Sequence, residues 1–223
     1  FYHNLNSDAL DPELYNSGEF VVASIKLEKR WRPSIFKSYS IGSQIKMGNG
    51  FMKGSLNSGF TYRASKKIKT SLFAGIGSFL LSDNIPLQYS YYLSGTVDPD
   101  FEQLVIDRMG GGGSDFKVLH NTYYGSGMRG IIVDNPTLST DKMFWRIKID
   151  QTLPYIPLNV FLDAAGSPGF ETPQYAAAGI MLGPIIIPLY QSWETESTIP
   201  KDLDWFRNRI RLMLTIPNIT IGR

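Results

Sequence analysis

The stretch Ala23-Ser24-Ile25-Lys26-Leu27-Glu28-Lys29-Arg30 decides the fold class. Ala23, Ile25 and Leu27 fall on one parity and Ser24, Lys26, Glu28 and Arg30 on the other, which is the period of an extended strand with one oily and one charged face. The next stretch repeats the pattern, setting Tyr39, Ile41, Ile45 and Met47 against Ser40, Gln44 and Lys46. A third sets Met52, Leu56, Phe60 and Tyr62 against Lys53, Asn57, Thr61 and Arg63, and Gly48-Asn49-Gly50 between the two is a hairpin signal. A fourth, over residues 67–80, carries Ile68, Leu72, Ala74 and Ile76 on one side and Lys67, Lys69 and Ser71 on the other. Each is about ten residues long, the length of a tilted strand that crosses a bilayer.

Working outward, alternation returns over residues 144–151, 158–165, 175–182 and 185–190, and a last strand is expected over 205–216. Residues 203–214 also carry Leu203, Phe206, Ile210 and Met213 at helical spacing, but the strand pattern accounts for more of the positions. The nine expected strands are an odd count, whereas bacterial barrels use an even one. Either a strand lies within residues 1–18 or strands outside this chain complete the barrel. The chain begins at Phe1 with no charged-then-apolar leader, and the expectation is that it starts inside a longer protein. Residues 1–18 are set apart as a leading segment and 19–223 as the barrel module. Within it, residues 81–141 hold Gly110, Gly111, Gly112 and Gly113 and few alternating runs, far beyond ordinary connection length, and are expected to form a long functional loop.

The expected fold is therefore all-β: a transmembrane antiparallel up-and-down barrel of about 8–10 strands, as a whole or as the C-terminal part of a 16-stranded one. Composition agrees. Of 223 residues, 43% are hydrophobic and 13% aromatic, yet the mean hydropathy is -0.12 and no apolar run is long enough for a helical span. The same alternation also suits a soluble β-sandwich or a lipocalin-like barrel with its oily face inward. Two features favour the membrane: a dense basic set on the charged face (Lys26, Arg30, Lys46, Lys53, Arg146, Lys148 among others), and aromatics near strand ends (Trp31, Tyr62, Trp145, Tyr190, Trp193, Trp205).

Several chemistries are excluded. His3 and His120 are the only histidines and lie far apart; there is no cysteine, no His-Glu-x-x-His and no Gly-x-Ser-x-Gly, so no metal, cofactor or catalytic site is expected. The glycine run lacks a following Lys-Ser/Thr, which argues against a phosphate loop. A net charge of +2 gives no reason to expect nucleic acid.

One constellation stands out, Gly125-Ser126-Gly127-Met128-Arg129-Gly130-Ile131 in the long loop. It is followed by Phe161-Leu162-Asp163-Ala164-Ala165 and then by Ala178-Gly179-Ile180-Met181-Leu182 with Gly183-Pro184-Ile185. In the order of its motifs this resembles the BamA/TamA superfamily of outer-membrane assembly and two-partner-secretion barrels. That family carries Val-Arg-Gly-Phe/Tyr in a loop folded back into the lumen, Phe-x-Asp-x-Gly on a later strand, and then an Ala-Gly-Ile-x-Leu strand before a Gly-Pro-Leu hairpin. The resemblance covers residues 60–216 and departs from the family at Ile131, at Ala165 and in the closing aromatic, where Arg223 stands.

The resemblance implies a loop motif of Gly127, Met128, Arg129, Gly130 and Ile131, with Arg129 pinned to Asp163 beside Phe161 on the barrel wall. Asp163 shares a lumen-side parity with Phe161 and Asn159, and a guanidinium reaching it can form a bidentate charge-assisted pair. The resemblance further implies a seam strand carrying Phe206, Ile210, Leu212 and Leu214, and a role in protein insertion or translocation in a Gram-negative outer membrane. Implied partners are outer-membrane lipid, client outer-membrane or secreted proteins, and accessory lipoproteins. Two other functions fit the same pattern: a membrane anchor for a fused upstream enzyme such as a metallopeptidase, and a small solute-binding or porin-like barrel.

Overall fold

A computed structural model describes residues 2–5, 18–65, 67–83, 85, 89–92, 117–120, 129, 139–170, 172, 174–183, 185–192 and 210–214. Its fourteen strands, in chain order, are β1 (Tyr2–Leu5), β2 (Gly18–Val21), β3 (Ala23–Ser34), β4 (Lys37–Gly48), β5 (Phe51–Arg63), β6 (Lys69–Ser82), β7 (Tyr91–Tyr92), β8 (Lys117–His120), β9 (Ser139–Thr140), β10 (Phe144–Thr152), β11 (Asn159–Gly166), β12 (Gln174–Leu182), β13 (Ile185–Gln191) and β14 (Arg211–Leu214). The described residues contain no helix. Eight strands, β3-β4-β5-β6-β10-β11-β12-β13, form one antiparallel up-and-down sheet, each pairing with its successor in the list. β14 continues it with two register pairs to β13, and β8 pairs in parallel with β14.

The alternating stretches 23–30, 39–47, 52–63, 144–151, 175–182 and 185–190 each lie on one of these strands, and 158–165 does so from Asn159 onward. The fourth stretch begins later than expected, because the Ser65 hydroxyl accepts the backbone N–H groups of Lys67 and Ile68 and folds both residues into the turn. The ninth, expected over 205–216, is strand at 211–214, and residues 205–209 lie outside the described part. Residues 2–5 of the leading segment form a separate hairpin with β2. Three short strands, β7, β8 and β9, interrupt the connection from β6 to β10 that was expected to be irregular, and Leu81 and Ser82 still belong to β6.

The expected closed barrel is not what the sheet shows. It is open, with β3 at one edge and β8 at the other. The sheet narrows toward β14, where the two pairs Ile185↔Leu212 and Ile186↔Arg211 replace the eight that join β10 to β11.

The two faces differ in kind. On one, Ile25, Leu27, Ile41, Ile45, Leu56, Leu72, Ile76, Ile147 and Leu162 are all exposed, Leu27 at 68%. On the other, Lys46, Arg146, Phe161 and Asp163 are buried, Asp163 at 0%. This inverts the usual arrangement, in which charges face water and aliphatics fill the interior. The cross-strand register keeps the faces apart: Ile25↔Ile45, Leu56↔Ile76 and Ile149↔Leu162 meet on the oily face, while Lys148↔Asp163 and Asp150↔Phe161 meet on the other.

The two ends differ as well. At one, the strands are joined through residues 35–36, 64–68, 153–158 and 183–184; at the other, through 49–50, 83–143, 167–173 and 192–210. Gly50 and Gly183 sit in two-residue turns with φ of 84° and 57°, the left-handed region that glycine enters at no steric cost.

Candidate functional site

The charged face is covered by residues from the connection between β6 and β10. Near the long-connection end, Tyr89 stacks on Phe51 with centroids 4.8 Å apart, and Tyr91 stacks on Phe144 at 5.7 Å. Phe144 continues edge-on to Phe170, and Phe170 to Tyr175, so one aromatic row crosses the sheet from β5 to β12. Gly77 makes room for this row, since a Cβ there would fall 2.6 Å from a Tyr91 ring carbon. The Lys53 ammonium donates to the Tyr89 carbonyl at 2.6 Å and lies 5.1 Å from the Tyr91 ring centroid, which compensates its position among aromatics. The return of the connection is tied down by the Ser167 and Thr140 hydroxyls, 2.9 Å apart.

Arg129 lies further down the same face. β10 runs from Phe144 at the long-connection end to Lys148, the cross-strand partner of Asp163, which at strand rise is about 13 Å of descent. Its floor is built from small and large residues in register. Phe161 of β11 faces Gly179 of β12, and any Cβ on Gly179 would meet the Phe161 ring at 2.8 Å, so glycine lets the ring lie across the neighbouring strand. The Arg129 guanidinium sits over that ring, 4.4 Å from its centroid.

The guanidinium is then closed in by acceptors. Arg129 donates from its backbone N to Asp163 Oδ2 at 2.8 Å and from Nε to Oδ2 at 2.9 Å; Nη2 also pairs with Asp163 Oδ1. Nη1 pairs with Asp150 Oδ1 on β10 and contacts the Met181 sulfur at 3.4 Å. Arg129 is 5% exposed. Burial alone would lower the guanidinium pKa, but the hydrogen bond and charge of Asp163, with the help of Asp150, leave it raised above its ordinary value. An arginine so held stays charged at every physiological pH. It acts as an anchor rather than a proton donor.

Of the residues singled out from sequence, the structure brings together Arg129, Asp163 and Phe161. Gly127, Met128, Gly130, Ile131 and Phe206 lie outside the described residues, as do Gly110, Gly111, Gly112 and Gly113. Ile210 lies immediately before β14, and Leu212 and Leu214 lie on it, with Leu212 the register partner of Ile185. Sequence reasoning missed Asp150, although it shares the parity of Arg146 and Lys148 on its strand. It also missed Gly179 and Met181 as the floor and flank of the site, residues quoted only for a strand motif. Among the described residues no group of three or more His, Cys, Asp or Glu could hold a metal ion.

The site thus belongs to an all-β sheet whose buried face receives a long connection through one multiply bonded arginine. Comparison of the chain with family models, with curated proteins and with solved structures finds no match.

Proposed function

We propose that this chain forms part of a β-barrel in a Gram-negative outer membrane, with its oily face in lipid, and that the barrel inserts or translocates other proteins. The observation that carries the proposal is the pinned arginine: Arg129, from a connection longer than 50 residues, lies on the charged face of the sheet, held by Asp163 and Asp150. Ordering backbone costs about 1–2 kcal/mol per residue, and a buried charge-assisted pair offsets that cost for the few residues at the contact. Connections of two to six residues at one end, against an opposite end that carries the two longest, 83–143 and 192–210, match the periplasmic and outer ends of such barrels. The closed cylinder requires further strands to meet β3, consistent with a larger barrel of the 16-stranded type.

The aromatic row from Phe51 to Tyr175 crosses the interior and disfavours a simple open pore. A barrel that assembles others would work by presenting strand backbone at its edge to a client strand. The test is catalytic in the kinetic sense. With the full-length protein in lipid vesicles, folding of an added unfolded outer-membrane barrel is expected to accelerate several-fold over empty vesicles, and Arg129→Ala to remove most of the gain. Vesicles loaded with folded protein that leave the client's rate unchanged would overturn the insertion reading and favour an anchor.

A further inference from the structure

The strand register extends the charged face to the short-connection end of the sheet. Ser38 pairs with Thr61, Thr61 with Ser71 and Ser71 with Asp150, and the Thr61 and Ser71 hydroxyls lie 3.2 Å apart, so these residues share the face that receives Arg129. Arg63, next after Thr61 on that parity, and its register partner Lys69 carry the face to its end. Trp31, Tyr39 and Phe60, packed in sequence at 5.5 and 5.0 Å, belong to the oily face behind it.

At this end of the charged face a cleft of about 430 Å³ opens, within the size range of ligand-binding pockets. Arg32, Lys37 and Arg63 line it together with Ser34, Ser38 and Thr61, and its described lining holds no Asp or Glu. One wall follows from a β-bulge: the register steps from Trp31↔Tyr39 to Ser34↔Lys37, which sets Arg32 and Pro33 against Ser38 alone. Pro33 has no N–H to give to a ladder, and a bulge bends its strand. The backbone beneath is closed, with Arg63 N–H donating to the Phe36 carbonyl at 2.7 Å and Phe36 N–H to the Ser34 hydroxyl at 3.3 Å. Ile35 and Phe36 add an apolar lip, Ile35 at 86% exposure.

The carboxylates of the surrounding strands do not neutralise this mouth. Strands β4, β5 and β6 contain no acidic residue, Glu28 of β3 pairs with Arg30, and Asp150 of β10 pairs with Arg129. The cations are also spread out. Arg32 on β3 and Arg63 on β5 stand two strand spacings apart, about 10 Å across the sheet, a wider span than a single phosphate bridges.

We propose that this cleft binds an acidic, extended segment of a polypeptide that the barrel handles. Carboxylates on alternate residues of such a segment, about 7 Å apart, meet cations on different strands, the hydroxyls donate to their remaining oxygens, and a flanking apolar side chain rests on Ile35 and Phe36. The proposal rests on the protein-handling reading above, in which this mouth faces the periplasm, the side from which a polypeptide bound for the outer membrane arrives. Each exposed ion pair is worth about two- to five-fold in affinity, so removing three cations is expected to weaken binding on the order of ten- to a hundred-fold.

The full-length protein is placed in nanodiscs of uncharged phosphatidylcholine, which leave both ends of the barrel accessible, and titrated against a fluorescent peptide of alternating Glu and Ser ending in Phe. Anisotropy is expected to show saturable, salt-sensitive binding to wild type and none of the same peptide with Lys for Glu. The triple variant Arg32→Gln, Lys37→Gln, Arg63→Gln is expected to show the ten- to hundred-fold loss, and the charge-keeping variant Arg32→Lys, Arg63→Lys to retain most of the affinity. Heat-dependent gel mobility verifies that each variant is folded. Equal affinity of wild type and the triple variant would overturn the site. So would complete displacement of the peptide by inorganic phosphate at low millimolar concentration, which would indicate a free-anion site. The client-folding assay in vesicles separates the two levels: wild type that fails to accelerate folding contradicts the insertion reading, whereas acceleration without peptide binding contradicts only this site.

Discussion

Replacing Asp163 with alanine isolates the anchor. The carboxylate is fully enclosed and receives three donors from Arg129, its backbone N, Nε and Nη2. Its removal leaves a 5% exposed guanidinium with Asp150, whose side chain is 41% exposed, as a weaker and partly hydrated counter-charge. Breaking one side of a buried ion pair costs about 3–5 kcal/mol, and the remaining Asp150 contact holds the value near the lower end, about 3 kcal/mol. That is more than a hundred-fold in an equilibrium constant. Arg129→Ala strands the enclosed carboxylate instead and is expected to cost a similar amount. In the double variant neither charge is stranded, so the combined loss is expected to stay within about 1 kcal/mol of the larger single loss, a coupling of about 2–3 kcal/mol. Denaturant unfolding from lipid vesicles, followed by tryptophan fluorescence, gives the stabilities, and proteolysis within the connection between β6 and β10 gives local release. Strictly additive losses, or single variants as stable as wild type, would refute the reasoning.

Two further perturbations address other parts of the molecule. Gly77→Ala would drive a Cβ into the Tyr91 ring, disturbing its 5.7 Å stack on Phe144 and its hydroxyl bond to the Gly54 carbonyl; a loss of about 1–3 kcal/mol is expected in thermal unfolding, and an unchanged midpoint would show that the aromatic row bears no load. Leu162→Arg, at a 46% exposed position of the oily face, should cost about 2–4 kcal/mol in a bilayer if it lies near mid-depth and almost nothing if that face meets water; denaturant titration in vesicles distinguishes the two.

How much of this was legible depends on the range of the signal. A strand with one oily and one charged face writes its own period, so eight antiparallel strands could be placed from residues such as Ile25, Leu27, Leu72 and Leu162, with boundary shifts of a residue or more, as where the Ser65 hydroxyl holds Lys67 and Ile68 in the turn before β6. Which face is enclosed was not legible from alternation, because a soluble sandwich carries the same pattern; the exposure of Leu27 and the enclosure of Asp163 show which of the two faces is covered.

The contact of Arg129 with Asp163 spans 34 residues and has no local period. It was reachable only through the order of motifs, and the same route gave no hint of Asp150, which stands outside them. The aromatic row could not be found, since Tyr89 and Tyr91 sit in a segment without alternation. The parallel pairing of β8 with β14 links residues 117–120 to 211–214, short segments too far apart for any sequence pattern to connect.

The most direct test of the central claim uses the absence of native cysteine. Single cysteines placed in turn at positions 159–165 along β11, spin-labelled in the vesicle-bound protein, report contact with lipid-soluble oxygen and with a water-soluble nickel chelate. Strong oxygen contact at positions 160, 162 and 164, alternating with protection from oxygen at 159, 161 and 165, is the predicted result. Nickel contact dominating at 160, 162 and 164 would mean that the aliphatic face stands in water, and would contradict the account.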